Sequence, residues 1–306
     1  MAAKDIIYND ITYKISYDML NTELEPYILI LHGWGAKKEL MSVAFKGKFK
    51  NFRQVYVDLP GFGKSSVASP ICTKDYAEIM REFIAKMGSA PVAIMGHSFG
   101  GKVATLLNPK NLILLSSAGI LEPKPLKVRL KIASFKVLKT LGLSKFYKFF
   151  ATSDVKGMDR VMYEILKLVV NEDFTEHFKS VSSDKTLIFW GKEDTATHLE
   201  SGEKIHSLIK NSKFYPLDGD HFFFIKNGEF IANEIEKELA EFANNANLEN
   251  SDNSQNLANL HNFDLNLQNT QDFQNLSEFE LFENPQNSAQ NSAQTRAGLP
   301  NQNLEI

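Results

Sequence analysis

Five short apolar runs, each bounded by turn residues, punctuate the first two-thirds of the chain: YILIL at 27–31, QVYVD at 54–58, PVAIM at 91–95, NLILLS at 111–116 and TLIFW at 186–190. Runs that are apolar on both alternations suit strands buried on both faces, as at the centre of a parallel sheet. Ahead of them, residues 5–8 and 11–17 alternate as an opening hairpin that turns at Asn9-Asp10. KFYPL at 213–217 adds a later strand. Helical patterns at 73–87 and 98–107 lie between strands, so the chain reads as βαβ units. The expected fold class is α/β, with a mostly parallel, doubly wound sheet.

The alternation stops after Ser117. Residues 120–183 read as almost wholly helical before a strand resumes at Thr186. An insertion there would form a helical cap over the C-terminal edge of the sheet, where open α/β sheets carry their sites. A last helix is expected over roughly 229–243. The core therefore comprises 1–119 and 184–243. Residues 244–306 hold 24 Asn or Gln among 63 positions and no lysine. That composition reads as a low-complexity, largely disordered tail. An amphipathic interaction segment around 256–282 is the alternative.

Composition changes this picture in three places. The one cysteine, Cys72, allows neither an internal disulfide framework nor a cysteine-based zinc site, which makes a reducing cytoplasm the simplest setting. The N-terminus lacks the apolar stretch of a secretory signal, and no run of 18 apolar residues offers a membrane span. No stable membrane insertion is expected. Finally, the net charge of −3 is uneven: eight acids against one arginine leave 244–306 at −7 and the remainder at +4. Much of the surplus sits between Lys124 and Lys148, which carries eight Lys or Arg and no acid. Leu126, Leu130, Ala133, Val137 and Leu141 share one helical face there, with lysines over much of the rest. This is a solvated basic face of the cap or a surface for an anionic substrate, acyl carrier or lipid. No basic stripe coincides with a nucleic-acid-reading motif, so no nucleic-acid partner is expected.

The chemistry concentrates in three glycine-rich turns. Gly96-His97-Ser98-Phe99-Gly100-Gly101 follows the strand PVAIM and opens a helix. A G-x-S-x-G sequence in a strand–turn–helix setting is a nucleophile elbow. Gly96 and Gly100 permit close approach of strand and helix, and the helix N-terminus favours developing negative charge. His32-Gly33-Trp34-Gly35 follows YILIL; Gly33 helps free backbone N–H groups there, and those of Trp34 and Phe99 are the natural pair for an oxyanion. His32 reads as a brace for that turn. Asp58-Leu59-Pro60-Gly61-Phe62-Gly63-Lys64-Ser65 ends like a phosphate-binding loop but lacks its four-residue spacer, so it reads as a sharp turn beside the site.

Together, H-G-W-G, D-L-P-G-F-G-K-S and G-H-S-F-G-G in this order resemble the α/β-hydrolase superfamily, over roughly residues 5–243. The flavour is that of small capped carboxylesterases, including pimeloyl-ester carboxylesterases, and of C–C hydrolases of meta-cleavage products. The helix after the elbow is shorter than that family usually has. The resemblance implies a nucleophile, acid, histidine order. Ser98 would be the nucleophile, Asp194 of Gly191-Lys192-Glu193-Asp194 the acid, and His221 of Gly219-Asp220-His221-Phe222 the general base. His177, His198, His206 and His261 lack such context, and the side chain of His97 is expected to point away from that of the serine. An aspartate at position 98 would instead have implied dehalogenase or epoxide chemistry. Serine favours acyl transfer, for which no metal or organic cofactor is needed. The leading expectation is an esterase acting on a small or medium acyl substrate. The alternatives are a C–C hydrolase of a dienoate and a binding module on a retained hydrolase fold.

Overall fold

The computed structural model describes residues 2–121 and 159–242. Most of the expected cap, including its basic stretch, and the whole of the expected tail lie outside the described residues. Eight strands form one sheet: β1 (Ala2–Tyr8), β2 (Ile11–Leu20), β3 (Tyr27–Leu31), β4 (Arg53–Val57), β5 (Ala93–His97), β6 (Asn111–Leu115), β7 (Lys185–Gly191) and β8 (Ser212–Leu217). Their order is β1-β2-β4-β3-β5-β6-β7-β8. The first hairpin and the β2–β4 pair are antiparallel, and every pairing beyond them is parallel. Asn9 and Asp10 turn the hairpin with φ of 49° and 60°, left-handed values that asparagine and aspartate tolerate better than most residues.

Helices cover both faces. On one lie α2 (Thr73–Met87), α3 (Phe99–Leu107) and α6 (Leu199–Leu208), packed through Ile79, Phe83, Val103 and Ile205 onto Leu29, Leu31, Ile94 and Leu114. On the other, α1 (Lys38–Phe45) and α7 (residues 224–242) enclose Ile28, Ile30, Met95 and Ile113 with Met41, Phe45, Ile231 and Ile235. Alternate residues of β3 thus feed opposite cores, which is why YILIL is apolar throughout. Of residues 120–183, where a helical cap is expected, the described part holds α4 (Arg160–Val169) and α5 (Thr175–Lys179).

The helix α2 spans 73–87, as its pattern predicts. Asp75 accepts the Cys72 N–H at 2.7 Å to cap its start, and Gly88 at φ 87° ends it. The last helix differs from expectation by beginning at 224 rather than 229, because Phe224 is buried against the sheet and belongs to the helix that packs there. The helices α1 and α6, of eight and ten residues, have no counterpart in the sequence reading. Both are too short to display more than two or three turns of periodicity.

The parallel register aligns the turns. Leu31 of β3 pairs with Gly96 of β5, and His97 pairs with Leu115 of β6. The H-G-W-G turn and the elbow therefore leave the sheet side by side at its C-terminal edge, followed by the turns after β7 and β8.

Candidate active site

Strand β5 runs to His97 and helix α3 begins at Phe99, so Ser98 alone makes the turn. It sits at φ 51° and ψ −113°, a left-handed strained conformation that costs a non-glycine residue on the order of 1–3 kcal/mol. Its surroundings hold it there. The Ser98 N–H donates to Leu115 O at 3.0 Å, and its carbonyl accepts from Gly101 at 3.0 Å and Ala118 at 3.1 Å. A Cβ on Gly96 would lie 2.3 Å from Gly100 O, and one on Gly100 would lie 2.5 Å from His32 O. Glycine at both positions lets the strand, the helix and the neighbouring turn converge under the serine. Phe99 is the first helical residue, so its N–H has no intrahelical acceptor.

The neighbouring turn is pinned by His32, which is fully buried. Its Nδ1 bonds Gly33 O at 2.8 Å and its Nε2 bonds the Leu59 N–H at 3.0 Å. A carbonyl at one nitrogen and an N–H at the other require the neutral ring with hydrogen on Nδ1. Burial also disfavours its protonation. Both nitrogens are consumed in joining two loops, so His32 is not placed to exchange protons with Ser98.

The G-x-G-K-S turn wraps an internal anion. Asp58 accepts the backbone N–H groups of Lys38 (2.9 Å) and Lys64 (3.1 Å), and pairs with the buried Lys38 Nζ at 2.8 Å. Burial would raise the Asp58 pKa, but these donors outweigh it and hold the carboxyl below its usual range. Gly63 has φ 55°, and a Cβ there would fall 2.3 Å from the carboxylate. A backbone N–H that could have met a phosphate instead closes on a side chain of the same loop.

Beyond β7 and β8, the acids sort themselves. Asp194, only 3% exposed, bonds His221 Nδ1 at 2.7 Å through Oδ2. It also accepts the N–H groups of Ala196 (2.8 Å) and Thr197 (2.9 Å) and the Thr197 hydroxyl (2.9 Å). Burial pulls its pKa upward, but the His221 and Thr197 bonds prevail and leave it at about 2. Glu193 instead accepts the Gly219 N–H, Asp218 pairs with Lys192 at 2.7 Å, and Asp220 accepts the Phe222 N–H at 2.9 Å. Only Asp194 of the four bonds the histidine ring.

The His97 side chain, expected to point elsewhere than that of the serine, packs against His221. Its ring is buried, 4.6 Å from that of His221 between centroids, and its Nε2 bonds His221 O at 3.0 Å. That bond fixes hydrogen on Nε2 when the ring is neutral. Burial, together with the neighbouring His221, lowers the His97 pKa to about 3. The signal for this role is weak in sequence, since the contact spans 124 positions.

Ser98 lines two cavities. One, of about 680 Å³, is also lined by His221, Trp34, Leu40, Val43, Phe222 and Ile225. The other, of about 370 Å³, is lined by Trp34, Phe99, Lys102, Leu166, Val169 and Glu172, among others. Ser98 and His221 thus face a common space. Among the described residues the Ser98 hydroxyl has no hydrogen-bond partner; catalytic bonds are often long before substrate tightens them. No group of three or more His, Cys, Asp or Glu among the described residues is arranged to hold a metal.

A family model described as alpha/beta hydrolase fold matches residues 26–124, the stretch that carries the H-G-W-G turn and the elbow. Among solved structures, an esterase from Thermogutta terrifontis superposes with a TM-score of 0.57 at 17% identity, over 79% of this chain and 99% of that one. The sheet order, elbow and matched family stretch agree. The chain has the α/β-hydrolase fold. It is 34% identical over 100 residues to a pimeloyl-[acyl-carrier protein] methyl ester esterase of Pseudoalteromonas atlantica, covering 30% of this chain and 38% of that protein. It is 30% identical over 154 residues to a probable alcohol acetyltransferase of Saccharomyces cerevisiae, covering 45% of each. The chain thus aligns with less than half the length of these relatives. These α/β-hydrolase relatives are esterase-like, and no helix among the described residues is long and apolar enough to cross a membrane.

Proposed function

We propose that this protein is a serine carboxylic-ester hydrolase working through an acyl-enzyme, with Ser98 as nucleophile, His221 as general base and Asp194 as its acid partner. The observation that carries the reading is the 2.7 Å Asp194–His221 bond, made by a histidine that shares a cavity with a strained elbow serine. With Nδ1 committed to Asp194, His221 has Nε2 left to take the serine proton and return it to the leaving group. The N–H groups of Trp34 and Phe99 would stabilise the oxyanion. A reducing cytoplasm suits its single cysteine.

Ester hydrolysis is favoured over cleavage of an anionic dienoate by the state of Lys102. It is the one lysine lining the smaller cavity among the described residues, and its Nζ is already paired with Glu172 at 2.6 Å. Among the described residues, a dicarboxylate-like substrate entering the smaller cavity would find no uncompensated cation; Lys37 lines only the larger one. The test is a fluorophosphonate probe together with p-nitrophenyl acetate. We expect one label, on Ser98, and its loss in Ser98→Ala along with roughly 10⁶-fold of kcat, as in serine hydrolases that lose their nucleophile. Full activity in Ser98→Ala would refute the assignment.

A further inference from the structure

The two cavities at Ser98 differ in size and lining, and reaction geometry constrains which part of an ester can enter each. Resting on the proposed hydrolase reading, we infer that the larger, apolar cavity beside His221 receives the alcohol portion of the substrate, and that the smaller cavity ending at Lys102 and Glu172 receives a short acyl group.

The argument begins with the proton. Ser98 Oγ bonds the carbonyl carbon as its hydrogen passes to His221, giving a tetrahedral intermediate. Collapse breaks the bond from carbon to the alcohol oxygen, and that oxygen must take the proton back from His221 as it leaves. The departing alcohol therefore lies on the His221 side of the serine. His221 lines the larger cavity, whereas the lining of the smaller one contains Ser98 and Phe99 but not His221. With the oxyanion turned toward the N–H groups of Trp34 and Phe99, the remaining substituent on carbon, the acyl chain, is directed to the other side.

The walls fit that division. On the alcohol side the lining also includes Lys37 and Glu39, but Val43, Phe222 and Ile225 present apolar side chains that are 70%, 44% and 39% exposed. A hydrocarbon chain laid against them removes water from both surfaces. On the acyl side the space is about half as large, and it contains a charged pair: Lys102 Nζ donates to Val169 O at 2.7 Å and to Glu172 at 2.6 Å. A long alkyl acyl chain pressed against those heads would strip their remaining hydration without replacing it. The apparent size of the substrate thus belongs to its alcohol.

Two isomeric esters separate the possibilities: hexyl acetate carries six carbons on oxygen, and methyl heptanoate carries its chain on the acyl side. The expected result is a kcat/KM at least tenfold higher for hexyl acetate, about 1.4 kcal/mol of barrier. In Val43→Asp, whose substituted side chain is on the surface, kcat/KM for hexyl acetate should fall at least fivefold more than for methyl heptanoate. Equal rates on the isomers, or a preference for methyl heptanoate that Val43→Asp diminishes, would overturn the assignment while Ser98-dependent hydrolysis of p-nitrophenyl acetate left the hydrolase reading standing. Absence of that acetate hydrolysis and of Ser98 labelling would overturn the hydrolase reading itself, and the assignment with it.

Discussion

Four hydrogen bonds converge on Asp194 in a nearly buried loop, and each favours its ionised form. An amide at that position keeps the size but can present an N–H to His221, which favours the wrong tautomer; in serine proteases that change costs about 10⁴ in kcat. Asp194→Asn is therefore expected to lose activity on that scale. Glu193→Gln, Asp218→Asn and Asp220→Asn, whose carboxylates serve the Gly219 N–H, Lys192 and the Phe222 N–H, should stay within about tenfold. Steady-state kinetics on one ester decide between the four. Acid sensitivity follows from the same residues. Asp194 titrates near 2 when folded, so it contributes about 2 kcal/mol above pH ~4 that disappears as pH falls toward 2. His97 is displaced the same way, to about 3, so an unfolded chain binds its proton first, and stability drains from about pH 6.5 downward. Melting temperature should therefore fall between pH 7 and 4. In His97→Gln, whatever its starting stability, the fall should be shallower, and an unchanged slope would contradict burial of a neutral ring.

At the scale of elements, the site depends on how closely three segments approach. Strand β5, helix α3 and the turn after β3 meet with no room for a methyl group, since a Cβ on Gly100 would lie 2.5 Å from His32 O and 2.8 Å from Leu31 O. Both obstacles are backbone, so nothing flexible can yield. Gly100→Ala should cost about 1–3 kcal/mol through overpacking. It should also reduce kcat more than KM, because shifting α3 moves the Phe99 N–H away from the oxyanion. Urea denaturation alongside kinetics checks both parts; a stable variant with unchanged kcat would show that the turn has slack.

For the whole molecule, the sheet and its two helical layers lie between residues 2 and 242, and every proposed catalytic residue lies within that span. The composition of 244–306 predicts that a chain ending at Asn245 keeps its melting temperature within a few degrees and retains kcat. Loss of folded protein on that truncation would show that the tail packs on the domain. The basic stretch from Lys124 to Lys148 remains an expectation from sequence about substrate or partner charge.

The sequence by itself pointed to the fold class, because central parallel strands must be apolar on both faces and YILIL, NLILL and TLIFW are apolar runs of strand length bounded by turn residues. It also determined the elbow, because glycine at 96 and 100 records a backbone approach that leaves a local trace. The carboxylate facing His221 was nameable only through the family's order, since four acids lie within reach in sequence and choosing among them depends on where two loops cross. The packing of His97 under His221, the use of the G-x-G-K-S amides on Asp58 and the two cavities at Ser98 were decided by tertiary structure alone. The first and last join segments far apart in the chain, and Asp58 is held by Lys38 from another segment as well as by Lys64 of its own loop; local periodicity carries no information about side chains that meet only when distant segments are laid together in one fold.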